Sequence, residues 1–140
     1  MSRSGKGKSK RIMKELHTLA SDNDLTLSES DFWNESAIGI DEKNKKIIYI
    51  DESGNEKIAT SFSLKDLKSF KSVPDLTARK NKATGYSREN RLGLIFTFTN
   101  PASPELNVNF YMAGFGRMTD NEKFLFEKWA DIIRKNYKAE

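Results

Sequence analysis

The stretch Arg91–Tyr137, RLGLIFTFTNPASPELNVNFYMAGFGRMTDNEKFLFEKWADIIRKNY, decides how this chain is read. Leu92, Leu94, Phe96 and Phe98 alternate with their neighbours, and so do Leu106, Val108, Phe110 and Met112, with Asn107 and Asn109 between them. Successive side chains of a strand point to opposite faces, so this period of two predicts strands over 92–99 and 106–112. The loop between them carries Pro101 and Pro104. After a glycine-containing connector, Thr119 and Glu122 have the spacing of a capping box, in which two side chains satisfy open backbone donors of a first helical turn. Leu125, Phe126, Trp129, Ile132 and Ile133 follow at helical spacing, and Arg134, Lys135 and Lys138 stand where the helix dipole favours cations. The pattern predicts an amphipathic helix over 122–137.

Upstream of this block, residues 75–90 are polar, with Arg79, Lys80, Lys82 and Arg88 set against Asp75 and Glu89. A loop of that length is commonly functional or mobile. Leu64, Leu67 and Phe70 are three apart, which suits one helical turn leading into a short strand over 69–73, ended by Pro74. Before it lies a meander of three predicted strands, 36–40, 46–50 and 57–63. Its two turns echo each other, because Ile40-Asp41-Glu42 and Ile50-Asp51-Glu52 each precede a Lys-Ile step. Residues 22–35 read as a connector whose Phe32 and Trp33 tuck against the domain. Ile12, Met13, Leu16, Leu19 and Ala20 predict a short amphipathic helix over 10–21, and the Gly, Ser and Lys content of residues 1–9 predicts a disordered basic tail.

The 140 residues suffice for one domain with a real core, here 36–140, supplied with nine Phe, four Tyr and two Trp. No cysteine is present, so disulfides, thiolate nucleophiles and cysteine metal sites are excluded. The basic N-terminus has no apolar run behind it and nothing matches a membrane helix, which makes a cytoplasmic location the expectation. Charge is uneven. Arg3, Lys6, Lys8, Lys10, Arg11 and Lys14 put +6 into the first fourteen residues, so the remainder carries −2 of the formal +4. A basic arm on a near-neutral body suits a polyanion, although solvated charged ends are common.

The order of antiparallel strands, long loop, two further strands and a terminal helix around Trp129 resembles the pleckstrin-homology-like fold of many small, uncharacterised bacterial and mobile-element proteins. The likeness is carried by Ile38-Gly39-Ile40-Asp41 with its Lys-rich turn, by Ser63-Leu64-Lys65-Asp66-Leu67, by Gly93-Leu94-Ile95-Phe96 and by the Trp129 helix. It implies an α+β domain: a bent antiparallel sheet, or partly open barrel, of six to seven strands closed by the C-terminal helix. A cystatin-like sheet wrapped on a helix is the alternative fold. The resemblance also implies a binding module for phosphoinositides, peptides or proteins, with no enzymatic activity and no cofactor. Lipid-binding members carry a basic signature around the first hairpin. Lys43, Lys45 and Lys46 lie there, but Asp41, Glu42, Asp51 and Glu52 are close by and no Arg follows, which departs from that signature.

Motifs of chemistry fall short of completion. His17 is the single histidine and sits on a predicted surface helix, a poor place for a general base that needs a nucleophile and an orienting acid. Asp51-x-Ser53-x-Asn55 starts as calcium loops do, but Glu56 replaces the required glycine and Phe62 the closing glutamate. Gly114-Phe115-Gly116-Arg117 lacks the rest of a phosphate loop. The acids at the two turns read as turn formers. The leading functional expectation is therefore an adaptor with a protein partner. A nucleic-acid binder is the alternative, using Lys10, Arg11 and Lys14 with Arg79, Lys80, Lys82, Tyr86, Arg88 and Arg91, where basic groups and an aromatic suit phosphate contact and base stacking. Anionic membrane is a third partner, reached through the arm and the Ile12/Leu16/Leu19 face.

Overall fold

A computed structural model describes residues 2–54, 56–73, 91–112 and 120–137. It is α+β, with helix α1 (Ser2–Asp22), strands β1 (Glu29–Trp33), β2 (Ser36–Asp41), β3 (Lys46–Asp51) and β4 (Ile58–Ser63), a 3-10 turn at Leu64–Asp66, strands β5 (Leu67–Val73), β6 (Arg91–Phe98) and β7 (Leu106–Met112), and helix α2 (Asp120–Asn136). The strands form two antiparallel sheets, β1-β2-β3-β4 and β5-β6-β7. The single bent sheet expected from the sequence is thus two sheets, with no closed barrel among the described residues. The 3-10 turn interrupts the chain between β4 and β5, and those two strands share no ladder. The chain divides into two compact units, 1–65 and 66–140.

In the first unit α1 lies on β2 and β3. Ile12, Leu16 and Ala20 repeat every four residues, so they form one stripe, and that stripe packs with Leu25, Ala37, Ile48 and Ile50. Docking explains a departure from expectation at the N-terminus. The helix begins at Ser2, where a disordered tail was expected. Once 10–21 is held on the sheet, each upstream residue adds a backbone hydrogen bond without a new nucleation cost. At Gly39 the sheet and its cover come closest: a β-carbon there would lie 2.7 Å from Leu27 Cδ1 and 3.4 Å from Leu16 Cδ2. β2 and β3 are buried on both faces, which is why Ile47-Ile48-Tyr49-Ile50 reads as a continuous apolar run.

The 22–35 connector contains a strand that the sequence reading missed. Glu29-Ser30-Asp31-Phe32-Trp33 has no apolar alternation, and its order comes from pairing with β2, from Glu29 opposite Ile40 to Trp33 opposite Ser36. The two residues between these strands, Asn34 and Glu35, have φ of 40° and 63°. Positive φ at both central positions is the tight hairpin turn whose twist matches that of paired strands.

In the second unit α2 packs on β6 and β7, with the predicted face of Leu125, Phe126, Trp129, Ile132 and Ile133 buried and Ala130 buried beside it. Phe126 meets Phe110 with ring centroids 6.4 Å apart, and Phe70 stacks on its cross-strand partner Phe96 at 5.4 Å. β5 starts at Leu67, two residues before the expected start, and bulges at Lys68. A bulge leaves its extra residue outside the ladder, and the Lys68 carbonyl accepts a hydrogen bond from Tyr137 Oη at 3.2 Å. Thr119, the expected helix cap, and the loop 75–90 lie outside the described residues. So does the Gly114–Arg117 connector.

Candidate functional site

In both Ile-Asp-Glu echoes the aspartate accepts from a backbone N–H two residues on, at the turn that follows its strand. Asp41 closes β2 and its Oδ1 accepts from the backbone N–H groups of Lys43 and Asn44, both at 3.0 Å. Oδ2 accepts from Asn44 Nδ2 at 2.8 Å and from the Thr26 N–H at 2.9 Å. Asp41 is 2 % exposed. The Thr26 hydrogen bond, followed by those from Asn44 and Lys43, outweighs burial and lowers its pKa to about 2. Asp51 closes β3 in the same manner, accepting from the Ser53 N–H at 2.8 Å, from Ser36 Oγ at 3.1 Å and from Tyr49 Oη at 3.0 Å. Burial, and then the Asp51 charge, push the Tyr49 phenol well above its ordinary pKa. Both aspartates hold turns, as their sequence positions suggested.

Asp24, Thr26, Ser28, Asp41, Glu42, Lys43 and Asn44 line an open cleft of about 400 Å³. Its polar groups are engaged: Ser28 Oγ lies within hydrogen-bond distance of two acceptors, Glu42 Oε1 at 3.0 Å and the Ile40 carbonyl at 3.2 Å, for its one hydroxyl proton. Among the described residues no cluster of three or more His, Cys, Asp or Glu side chains could hold a metal ion.

The residues predicted for anion contact separate into four groups. Arg11 is engaged within the chain at the surface, its guanidinium donating to Glu52 Oε2 at 3.0 Å and Oε1 at 2.6 Å. Lys57, beyond the β3–β4 turn, bridges Glu15 at 2.7 Å and Glu52 at 3.6 Å. Two cations and two anions so tie α1 to the β3–β4 hairpin. These hydrogen bonds raise the Arg11 and Lys57 pKa values and lower that of Glu52. Lys10 and Lys14, by contrast, are exposed, one helical turn apart, with exposed His17 continuing their side of α1. Neither lysine has an ion-pair partner among the described residues. Arg91 opens β6. Arg79, Lys80, Lys82, Tyr86 and Arg88 lie outside the described residues.

The apolar face expected to meet a membrane is the face of α1 that covers the sheet: Ile12 and Leu16 are fully buried and Leu19 partly so. Among the described residues no helix is long and apolar enough to cross a membrane.

One surface has no obvious signal in the sequence. Among the described residues β4 is the outer strand of its sheet, and Ile58, Ala59 and Ser61 are exposed. Its Ile58–Ser63 run has neither charge nor proline, and its register with β3 is unbroken from Ile58 opposite Asp51 to Ser63 opposite Lys46. The other outer strands each carry a feature that discourages pairing. β1 has Glu29 and Asp31, β5 has Lys68, Lys71 and a bulge, and β7 shifts register against β6.

Comparison with known proteins returns no family model, no curated protein and no solved structure that matches this chain.

Proposed function

We propose that this chain is a cytoplasmic, non-enzymatic binding module of pleckstrin-homology-like architecture that takes an extended protein segment at its β4 edge. The architecture is supported by the element order of four strands, three strands and a C-terminal helix. The edge reading is carried by β4 itself. An uncharged, unbulged outer strand offers a row of backbone donors and acceptors to an added strand, while alternate side chains select it. Panning a library of extended peptides against the chain tests this. Binders are expected, and Ser61→Pro, which removes an outward backbone donor, should weaken them by about tenfold or more (about 1.4 kcal/mol). An empty selection, or binders indifferent to Ser61→Pro, would overturn the reading.

A second reading is favoured by exposed Lys10 and Lys14. Lys10 and Lys14 give their side of α1 a basic edge, and such an edge fits the phosphates of a nucleic acid. Binding would then fall with salt, by about 0.9 in log K per log unit of salt for each phosphate contacted. Lys10→Glu with Lys14→Glu should abolish a gel shift at low salt. A shift unchanged by that pair removes this reading.

A further inference from the structure

We infer that the segment taken at the β4 edge is β4 of a second copy, so that the chain forms a two-fold dimer by antiparallel pairing of Ile58–Ser63. This rests on the edge reading above and goes further by naming the occupant. The Leu64 N–H donates to the Lys45 carbonyl at 2.8 Å, which sets the parity of the ladder. Residues of an antiparallel strand alternate in the side to which their backbone groups turn. Phe62, Thr60 and Ile58 therefore turn theirs toward β3, and Ala59, Ser61 and Ser63 turn theirs outward. A two-fold axis normal to the sheet pairs residues of the same face, which leaves registers centred on Thr60 or on Ser61.

The Thr60 register is the better one. It sets exposed Ile58 opposite Phe62 of the second copy, twice by symmetry, and joins Ala59 and Ser61 through outward backbone groups. The Ser61 register leaves Ile58 facing Leu64, which is already past the end of the strand and buried. A strand of uncharged residues also meets its own copy without placing like charges opposite one another. Six residues a side make a small contact, so the dimer is reversible and concentration-dependent.

The chain has no cysteine, so a single introduced one reports on this geometry. Thr60 would face its own copy across a non-hydrogen-bonded pair, where the α-carbons stand about 4.5 Å apart, within disulfide reach. Sedimentation equilibrium of the unmodified chain is expected to show a monomer–dimer equilibrium that Ile58→Lys and Ser61→Pro shift to monomer. Under mild oxidation Thr60→Cys is expected to give a disulfide-linked dimer and exposed Glu56→Cys much less, with unchanged circular dichroism in each variant. A wild-type chain that stays monomeric at its highest soluble concentration overturns the proposal, as does equal cross-linking of the two cysteine variants. A monomer that nonetheless binds selected peptides at β4 removes the second copy and leaves the edge reading standing. A monomer without peptide binding removes both.

Discussion

Asp41 ties two pieces of chain together, because its carboxylate accepts from Thr26 as well as from its own turn at Lys43 and Asn44. A carboxyl whose folded pKa is depressed stabilises the fold above its unfolded value and stops doing so as pH falls through the folded one. With a folded pKa of about 2 against an ordinary value of 3.8, the contribution is about 2.5 kcal/mol at neutral pH. It fades between about pH 4 and pH 2. Asp41→Asn should therefore lower stability by about that amount at pH 7 and converge on the parent near pH 2, measured by urea unfolding at a series of pH values. Glu35 gives a change of opposite sign. Its φ of 63° is unfavourable for a residue with a β-carbon, so Glu35→Gly should raise stability by about 1 kcal/mol in the same assay.

At the scale of elements, α1 is held by an apolar stripe and by a flanking charge network, and the two respond differently to solvent. Glu52→Gln leaves Arg11 with a weaker acceptor and Lys57 with Glu15 alone. The parent's thermal midpoint should fall with added salt more than that of Glu52→Gln, because exposed charge pairs are screened and apolar contacts are not. The apolar stripe depends on close approach at Gly39. Gly39→Val should cost about 2 kcal/mol by overpacking, whereas Gly39→Ala stays near neutral, since the nearest atoms are the δ-methyls of a side chain that can turn aside. In α2, Trp129 is fully buried, and Trp129→Ala should cost about 3–5 kcal/mol in chemical denaturation.

At the scale of the whole molecule, the charge asymmetry takes on a new meaning once α1 is seen as part of the fold. Removing residues 1–14 would delete not only a basic arm but also buried Ile12 and the Arg11 clamp. Truncation is therefore expected to lower stability as well as any affinity for polyanions. The paired Lys10→Glu and Lys14→Glu reversal should leave the melting curve within about 0.5 kcal/mol of the parent, since both side chains are exposed. A reversal that unfolds the protein would show that the outer side of α1 is structural.

The strands over 92–99 and 106–112 and the terminal helix were legible because each repeats apolar residues at its own period, and the meander over 36–63 because apolar runs such as Ile47–Ile50 lie between turn residues; both are local properties of the chain. The turn roles of Asp41 and Asp51 were legible for the same reason, each reaching backbone two residues away. Tertiary structure alone decided the rest. β1 is a strand only through β2, α1 reaches Ser2 only because its apolar stripe is docked, and Arg11 pairs with Glu52 across 41 positions. The β4 edge belongs to this second class. Lack of charge in Ile58–Ser63 gains meaning only when the order of the described strands leaves that strand outermost, because an edge is defined by the strands beside it.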